Sequence, residues 1–389
     1  MTAQFIKIDW LKGVKVLLAA YYIPGPLAAY LLRHLGAEII KIESPLGDMM
    51  RQIPPFIKNK DNQMAAYFRA LNAGFKSIVV DFKTPKGIET LKQLIGKSDV
   101  LIDGNRVGYI EKILQEKIHT INPDIIHIPI TGYGLKGPQH ELAAHDNNVL
   151  ALAGTLSYGS RDQEEKQGVF GPQIADITSG YIASFMAVSA LFGKKNRLAT
   201  IKPDTIDASM LHAASFLNQI YIAGMNASKK APDAGSELLN GALPNYTTYK
   251  TKDQKTLFFG PIEPHLFKNF CEKINRLDLL DLLTKDYTKL KNELEAIFKT
   301  KTLISWKKFL RDTDCCFTPI NSLTEATNDE QIKALNLHYE TSDKTYGKLK
   351  LSSFPAGISK ESVMVDCDAP APELGEHTEE ILASLNISL

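Results

Sequence analysis

The chain is poor in several residue types. Its 389 residues include four cysteines, two tryptophans and only eight arginines against 37 lysines. Cys271, Cys315, Cys316 and Cys367 show none of the spacings of a metal site, and the adjacent pair Cys315-Cys316 makes a poor disulfide. Reduced thiols in the cytosol are the expectation. Neither charge is in excess: 45 Lys+Arg stand against 44 Asp+Glu, a net charge of +1. Nothing electrostatic therefore recommends nucleic acid or an anionic membrane as a partner, and a polyanionic ligand must be held locally. Long apolar runs are missing too. The most apolar stretch, Gly180 to Phe192, has 13 residues, short of the ~20 that span a bilayer, and reads as a buried helix. Met1 to Trp10 lacks the basic and apolar segments of a secretory signal. The expectations are no nucleic acid, no membrane and a cytoplasmic location.

What is present is an ordinary globular composition, 44% hydrophobic and 23% charged, in a chain long enough for more than one domain at ~100–200 residues each. Val14 to Ala19 reads as a strand. Pro24-Gly25-Pro26 then opens a helix with Leu27, Tyr30, Leu31 and Leu35 on one face, Gly36 ends it, and Glu38 to Glu43 is a second strand. The unit repeats with strand Ser77 to Phe82, an N-cap at Thr84, Pro85 at the first helical position, and Ile88, Leu91, Leu94 and Ile95 along one face. Asp99 to Ile102 and Asp124 to Ile130 are further strands, followed by a helix over Ile177–Phe192 and a strand over Ala199–Ile206. Strands alternating with helices predict an α/β domain with a largely parallel sheet. After a long connection over Ala227 to Pro244, a hairpin of Asn245 to Lys250 and Thr256 to Phe259 around Lys252-Asp253 leads into helical segments through Leu310, a smaller α+β domain. The tail from Asn328 has short strand-like pieces and a final helix, Thr378 to Leu385.

Familiar motifs fail on context. Gly132-Tyr133-Gly134-Leu135-Lys136-Gly137 fits the dinucleotide pattern, but Pro138 follows and no helix opens within the glycines. His140 and His145 are five apart, which on a helix points them about 140° apart, wrong for zinc. No nucleophile elbow and no P-loop pattern occurs. What remains is a set of titratable residues at junctions. Asp176 precedes the apolar run and reads either as an N-cap or as a carboxylate stabilised by helix-start amides. His145, with Asp146, precedes Val149 to Leu152 and reads as a structural or a functional histidine. Glu263 lies between two prolines in Gly260-Pro261-Ile262-Glu263-Pro264, a rigid turn that either presents or merely solvates a carboxylate.

Taken together, these segments resemble the class III CoA-transferase superfamily, and within it the α-methylacyl-CoA racemase branch. The likeness runs through Pro24-Gly25-Pro26, Leu35-Gly36-Ala37-Glu38-Ile39-Ile40-Lys41-Ile42-Glu43, Leu71-Asn72-Ala73-Gly74-Phe75-Lys76-Ser77 and Gly132 to Pro138. Ala144-His145-Asp146-Asn147-Asn148 and Gly260-Pro261-Ile262-Glu263-Pro264 resemble the racemase histidine and glutamate motifs. Ala175-Asp176 resembles the aspartate block shared with the transferases. The resemblance implies interconversion of 2R- and 2S-methylacyl-CoA thioesters through an enolate. His145 and Asp176 would work the two faces of the α-carbon, Glu263 would hold the His145 tautomer, and no metal or cofactor would be needed beyond the CoA of the substrate. A CoA-transferase using Asp176 as acyl-carrying nucleophile, or a catalytically silent acyl-CoA-binding homologue, are the alternatives.

For CoA, the resemblance points to Leu71, Lys76, Asn105, Arg106, Lys112 and Tyr133, while as bare residues the cations among them read equally as solvated surface charges. The chain departs from the family at Tyr21-Tyr22, where many members carry an arginine, and at Phe75 and Lys112. The implied architecture is α/β: residues 1–200 and 330–389 form a large CoA-binding domain with a mainly parallel sheet and flanking helices. A smaller α+β domain spans 225–329, with 201–224 connecting. An interlocked homodimer, its site shared between subunits, is the implied assembly.

Overall fold

The computed structural model describes residues 5–59, 62–159, 168–196, 205–343, 345–358, 361–363 and 369–386. The chain divides into two compact units, one of Met1–Ala153, Phe170–Leu217 and Asp329–Leu389, the other of Gly154–Val169 and Asn218–Asn328.

The first unit is built on a five-stranded sheet. Its elements are β1 (Lys15–Ala19), α1 (Pro24–His34), β2 (Glu38–Glu43), β3 (Lys76–Val79), α2 (Pro85–Gly96), β4 (Val100–Asp103) and β5 (Ile126–Pro129). The spatial order is β3-β2-β1-β4-β5 and every pairing is parallel. Alternation along β1 explains the two cores. Val16 and Leu18 face α1, through Ala28, Ala29 and Leu32. Leu17 and Ala19 face the opposite side with Leu91, Leu94 and Ile95 of α2. Because both faces are covered, the strands read as continuous apolar runs. Thr84 caps α2 by accepting a hydrogen bond from the Gly87 amide at 3.0 Å.

The further helices of this unit include α3 (Asp146–Leu152), α4 (Ile174–Lys195) and α5 (Met210–Leu217). The apolar helix is longer than its 13-residue core suggested. At 22 residues it is long and apolar enough, by length and composition, to cross a membrane, yet Ala175, Ser179, Gly180, Ala183, Ser184 and Ala187 are buried against the unit. Gly180 permits that packing, since a Cβ there would stand 2.8 Å from the Pro24 carbonyl oxygen of α1. The stretch 201–224, expected as a connection, holds α5 and the start of the helix Gln219–Ser228. Of the strand expected over Ala199–Ile206, residues 199–204 lie outside the described residues, as does Cys367. Downstream, the amides of Ile206, Ala208 and Met210 donate to the carbonyls of His127, Pro129 and Thr131, an extended run parallel to β5.

The tail returns to the sheet. In the helix Thr378–Ser384, Ile381 and Leu382 join the second core. The Val79 amide donates to Thr378 Oγ1 at 3.2 Å, and Lys76 bridges Glu380 at 2.7 Å and Glu38 at 3.0 Å. Lys76 thus ties the C-terminal helix to the sheet. On β2, a fully buried Lys41 pairs with Asp48 at 2.8 Å and donates to the Ala20 carbonyl at 3.0 Å. Burial works against the Glu43 charge, but Arg51, Lys41 and Ser77 outweigh it and hold its carboxyl below the ordinary range.

The second unit carries β6 (Thr247–Lys250), β7 (Thr256–Phe259) and β8 (Phe317–Pro319) in the antiparallel order β8-β7-β6. An aromatic core of Phe259, Phe267, Phe270, Phe298 and Trp306 covers the sheet. The expected hairpin is present. The third strand, three residues long, escaped the sequence. The helix Gln219–Ser228 and a helical turn over Leu238–Ala242 occupy part of what read as a plain connection.

Candidate active site

In a sheet ordered 3-2-1-4-5, the order of winding reverses between β1 and β4, and the crevice beyond the carboxyl ends of those parallel strands is the natural ligand site. A cavity of about 410 Å³ opens there. Its walls are the turns after β1 (Ala20 to Tyr22), β4 (Gly104 to Val107) and β5 (Ile130 to Gly132), the loop at His140 and Leu142 to His145, and the first turn of α4. A second cavity, of about 830 Å³, is walled by apolar side chains, among them Ile23, Leu27, Ile53, Leu71, Ile177 and Tyr181. The two share three residues: Tyr22, His145 and Asp176.

His145 is the N-cap residue of α3, and its exposed ring meets the Tyr22 ring edge to face, centroids 6.1 Å apart. Tyr22 itself has φ +63°, a left-handed conformation uncommon for tyrosine. Gly132 lets the loop close over the cavity, because a Cβ there would fall 2.6 Å from Ala144 Cβ, next to His145. Of the near-dinucleotide glycines only Gly132 serves close packing, Gly134 and Gly137 taking positive φ instead, and no helix opens within them.

Asp176 is not the cap of α4. It is the third helical residue, after the N-cap Gln173. Its amide donates to Asp146 Oδ2 at 3.0 Å, so the first residue of α3 caps α4 across the fold. Burial, and then the negative charge of Asp146, push the Asp176 carboxyl up to about 7. Burial also raises Asp146, while the amides of Asp176 and Ala175 pull it down. A carboxyl that titrates near neutrality can both give and take a proton, and here it shares two cavities with an imidazole. Asp146 is a neighbour of both groups that sequence reasoning did not single out; the signal was a carboxylate directly after the histidine at a helix start.

Of the residues matched to CoA, Arg106 and Asn105 line the switch-point cavity. Arg106 donates to the Glu141 carbonyl. The Asn105 side-chain amide is spent on Ala19 O at 3.0 Å and Asp103 Oδ1 at 2.8 Å, so it shapes the turn. Leu71 falls in the apolar cavity instead. Tyr133 lies half-buried beside Gly132, and Lys112 is exposed on the short helix Tyr109–Leu114; neither lines the two cavities. Glu263 belongs to the second unit, where it is the N-cap residue of the helix Pro264–Lys273. Its exposed side chain makes no capping bond, and its turn is held by Asn245 Nδ2 on the Pro261 carbonyl at 2.7 Å and the Gly260 amide on the Cys316 carbonyl at 3.0 Å. Among the described residues, no three His, Cys, Asp or Glu side chains converge as metal ligands.

The chain belongs to CoA-transferase family III, whose pattern it matches over residues 11–378. It is 28% identical to the α-methylacyl-CoA racemase of Homo sapiens over 97% of this chain and 94% of that one. It is 30% identical to the succinyl-CoA:glutarate CoA-transferase of Mus musculus over 96% of this chain and 85% of that one. Among solved structures it resembles a CAIB/BAIF family protein from Brucella suis, with a TM-score of 0.79 and 25% identity, covering 96% of this chain and 99% of the other. Rv3272 from Mycobacterium tuberculosis shares the fold, with a TM-score of 0.80 and 24% identity, covering 95% and 98%. An enzyme superfamily with racemase and CoA-transferase members is thereby established for this chain.

Proposed function

We propose that the protein is a racemase of 2-methylacyl-CoA thioesters. The observation that carries this reading is that His145 and Asp176 line both cavities, where a chamber holding Asn105, Arg106 and His140 meets an apolar one. An acyl-CoA laid across that junction puts its thioester and α-carbon between the two groups. One removes the α-proton from one face and the other returns a proton to the opposite face, with the thioester carbonyl carrying the charge as an enolate. The Asp176 amide is already engaged by Asp146, so it is not free to serve the enolate oxygen. Arg106, at the switch-point cavity, is the cation offered to CoA phosphate. CoA enters as part of the substrate.

The apolar cavity supports the same choice over acyl transfer to a dicarboxylate. No lysine or arginine lines it, so a second carboxylate on the acyl chain would find no fixed cation there. In the transferase reading Asp176 attacks the thioester and His145 has no task. Glu263 is assigned to the partner subunit of an interlocked homodimer, there to fix the His145 tautomer. Free, buried Cys271 and Cys315 suit a reducing compartment, and we assign the protein to the cytoplasm. Incubation with a pure 2-methylacyl-CoA epimer in deuterated water, with a free acid acceptor in parallel, separates the reactions. Deuterium at the α-carbon with loss of chirality and no acyl exchange is expected; CoA transfer without deuterium would replace this reading.

A further inference from the structure

Asp146 is a buried carboxylate to which the proton-transfer scheme gives no task. It is 4% exposed and lines the apolar cavity beside His145 and Asp176. It is tied to both, to His145 as the next residue in the chain and to Asp176 through the 3.0 Å bond from that residue's amide to Oδ2. Its other oxygen, Oδ1, is also buried and meets no hydrogen-bond partner among the described residues. A carboxylate kept only to close a helix end is expensive in such a place, because a buried charge without a cation is destabilising. The charged groups lining the two cavities around it are Arg106, His140, His145 and Asp176, and no ion pair reaches Asp146 among the described residues. An uncharged Asn or Ser would cap α4 as well.

We propose that Asp146 is a positioning residue for proton transfer: it joins the start of α4 to the start of α3, holds Asp176 opposite His145, and sets a fixed negative charge beside both. This rests on the racemase reading of the site. A negative charge next to two titrating groups favours the protonated form of each. That matters because the competent pair carries one proton in total, either on the imidazole or on the carboxyl, and both epimers must find that state near neutral pH.

The test uses Asp146→Asn, which keeps the size and the acceptor for the Asp176 amide but removes the charge, and Asp146→Ala, which removes both. Alpha-proton exchange is measured from pH 5 to 9. For Asp146→Asn we expect kcat about tenfold lower at neutral pH with KM within about twofold, and a pH–rate profile moved to lower pH by about one pH unit. Asp146→Ala should lose more kcat and show the same displacement. An unmoved profile in Asp146→Asn, whether or not kcat falls, overturns the proposal, since a merely structural residue would not set the profile. If Asp146→Ala does not fold, Asp146→Asn decides alone. Should the wild type exchange no α-proton, the racemase reading fails separately. Carbon-13 NMR of the Asp176 carboxyl still tests the coupling: titration at lower pH in Asp146→Asn upholds it, and an unchanged midpoint overturns it.

Discussion

A carboxyl held near pH 7 inside a fold is a stability statement as well as a catalytic one. The folded chain keeps a proton on Asp176 up to about pH 7, whereas an unfolded aspartate releases it near pH 3.9. Between those values the folded state binds more protons than the unfolded one, so this contribution is fully present below pH 4 and is lost as pH rises to 7. Asp176→Asn, neutral at every pH, should therefore raise Tm at pH 8 by about 3 °C relative to wild type, and by much less at pH 4. Calorimetry at the two pH values checks this, and equal effects would mean that the carboxyl is not strained by its surroundings. His145 and Asp176, and their pairing, were expectations carried by the resemblance; what neighbouring residues alone did not give was the contact between their helices. The two stand 31 positions apart in the chain, and the bond between the Asp176 amide and Asp146 that brings their helices together is tertiary. The surroundings of Lys76 were hidden for the same reason. Its partners, Glu38 and Glu380, come from a neighbouring strand and the far terminus.

At the scale of elements, most of the first sheet was readable because parallel strands buried on both faces are apolar runs, and because Pro, Gly and Thr mark helix ends. The failures are elements without such marks. β8 has three residues and no alternation to detect, and the helices over 210–228 lie in a stretch whose apolar residues do not favour one face; the second of them buries none. The contact between α1 and α4 depends on Gly180. Since its added Cβ would press on backbone at 2.8 Å, Gly180→Ala forces the helices apart. It should cost about 1–3 kcal/mol in denaturant unfolding despite alanine's better helix propensity. A stabilised variant would show that the two helices have room to spare. Because Asp176 lies on the first turn of α4, the same variant should also slow catalysis.

For the whole molecule, the shared site is the feature that a single chain cannot complete under the proposal that Glu263 acts from a partner. The two single variants His145→Ala and Glu263→Ala are then each inactive for different subunits' reasons. Co-expressed, they form heterodimers in which one site is doubly damaged and the other intact, and random pairing returns roughly a quarter of wild-type activity. No recovery above that of the separate variants would place all three residues within one chain's site. The composition, with its near-zero net charge, fits a molecule that concentrates its cationic contact at Arg106 rather than across a surface.

The central claim is that an imidazole and a carboxyl from different helices act on one C–H bond. The most direct measurement is deuterium uptake at the α-carbon of each pure 2-methylacyl-CoA epimer, by wild type and by His145→Ala. Wild type should label and racemise both epimers with the same pH dependence, because the two competent forms differ only in which group holds the proton. His145→Ala should fall in turnover by about 10²–10⁴-fold. Wild-type turnover in His145→Ala, with full racemisation of both epimers, would contradict the two-group mechanism.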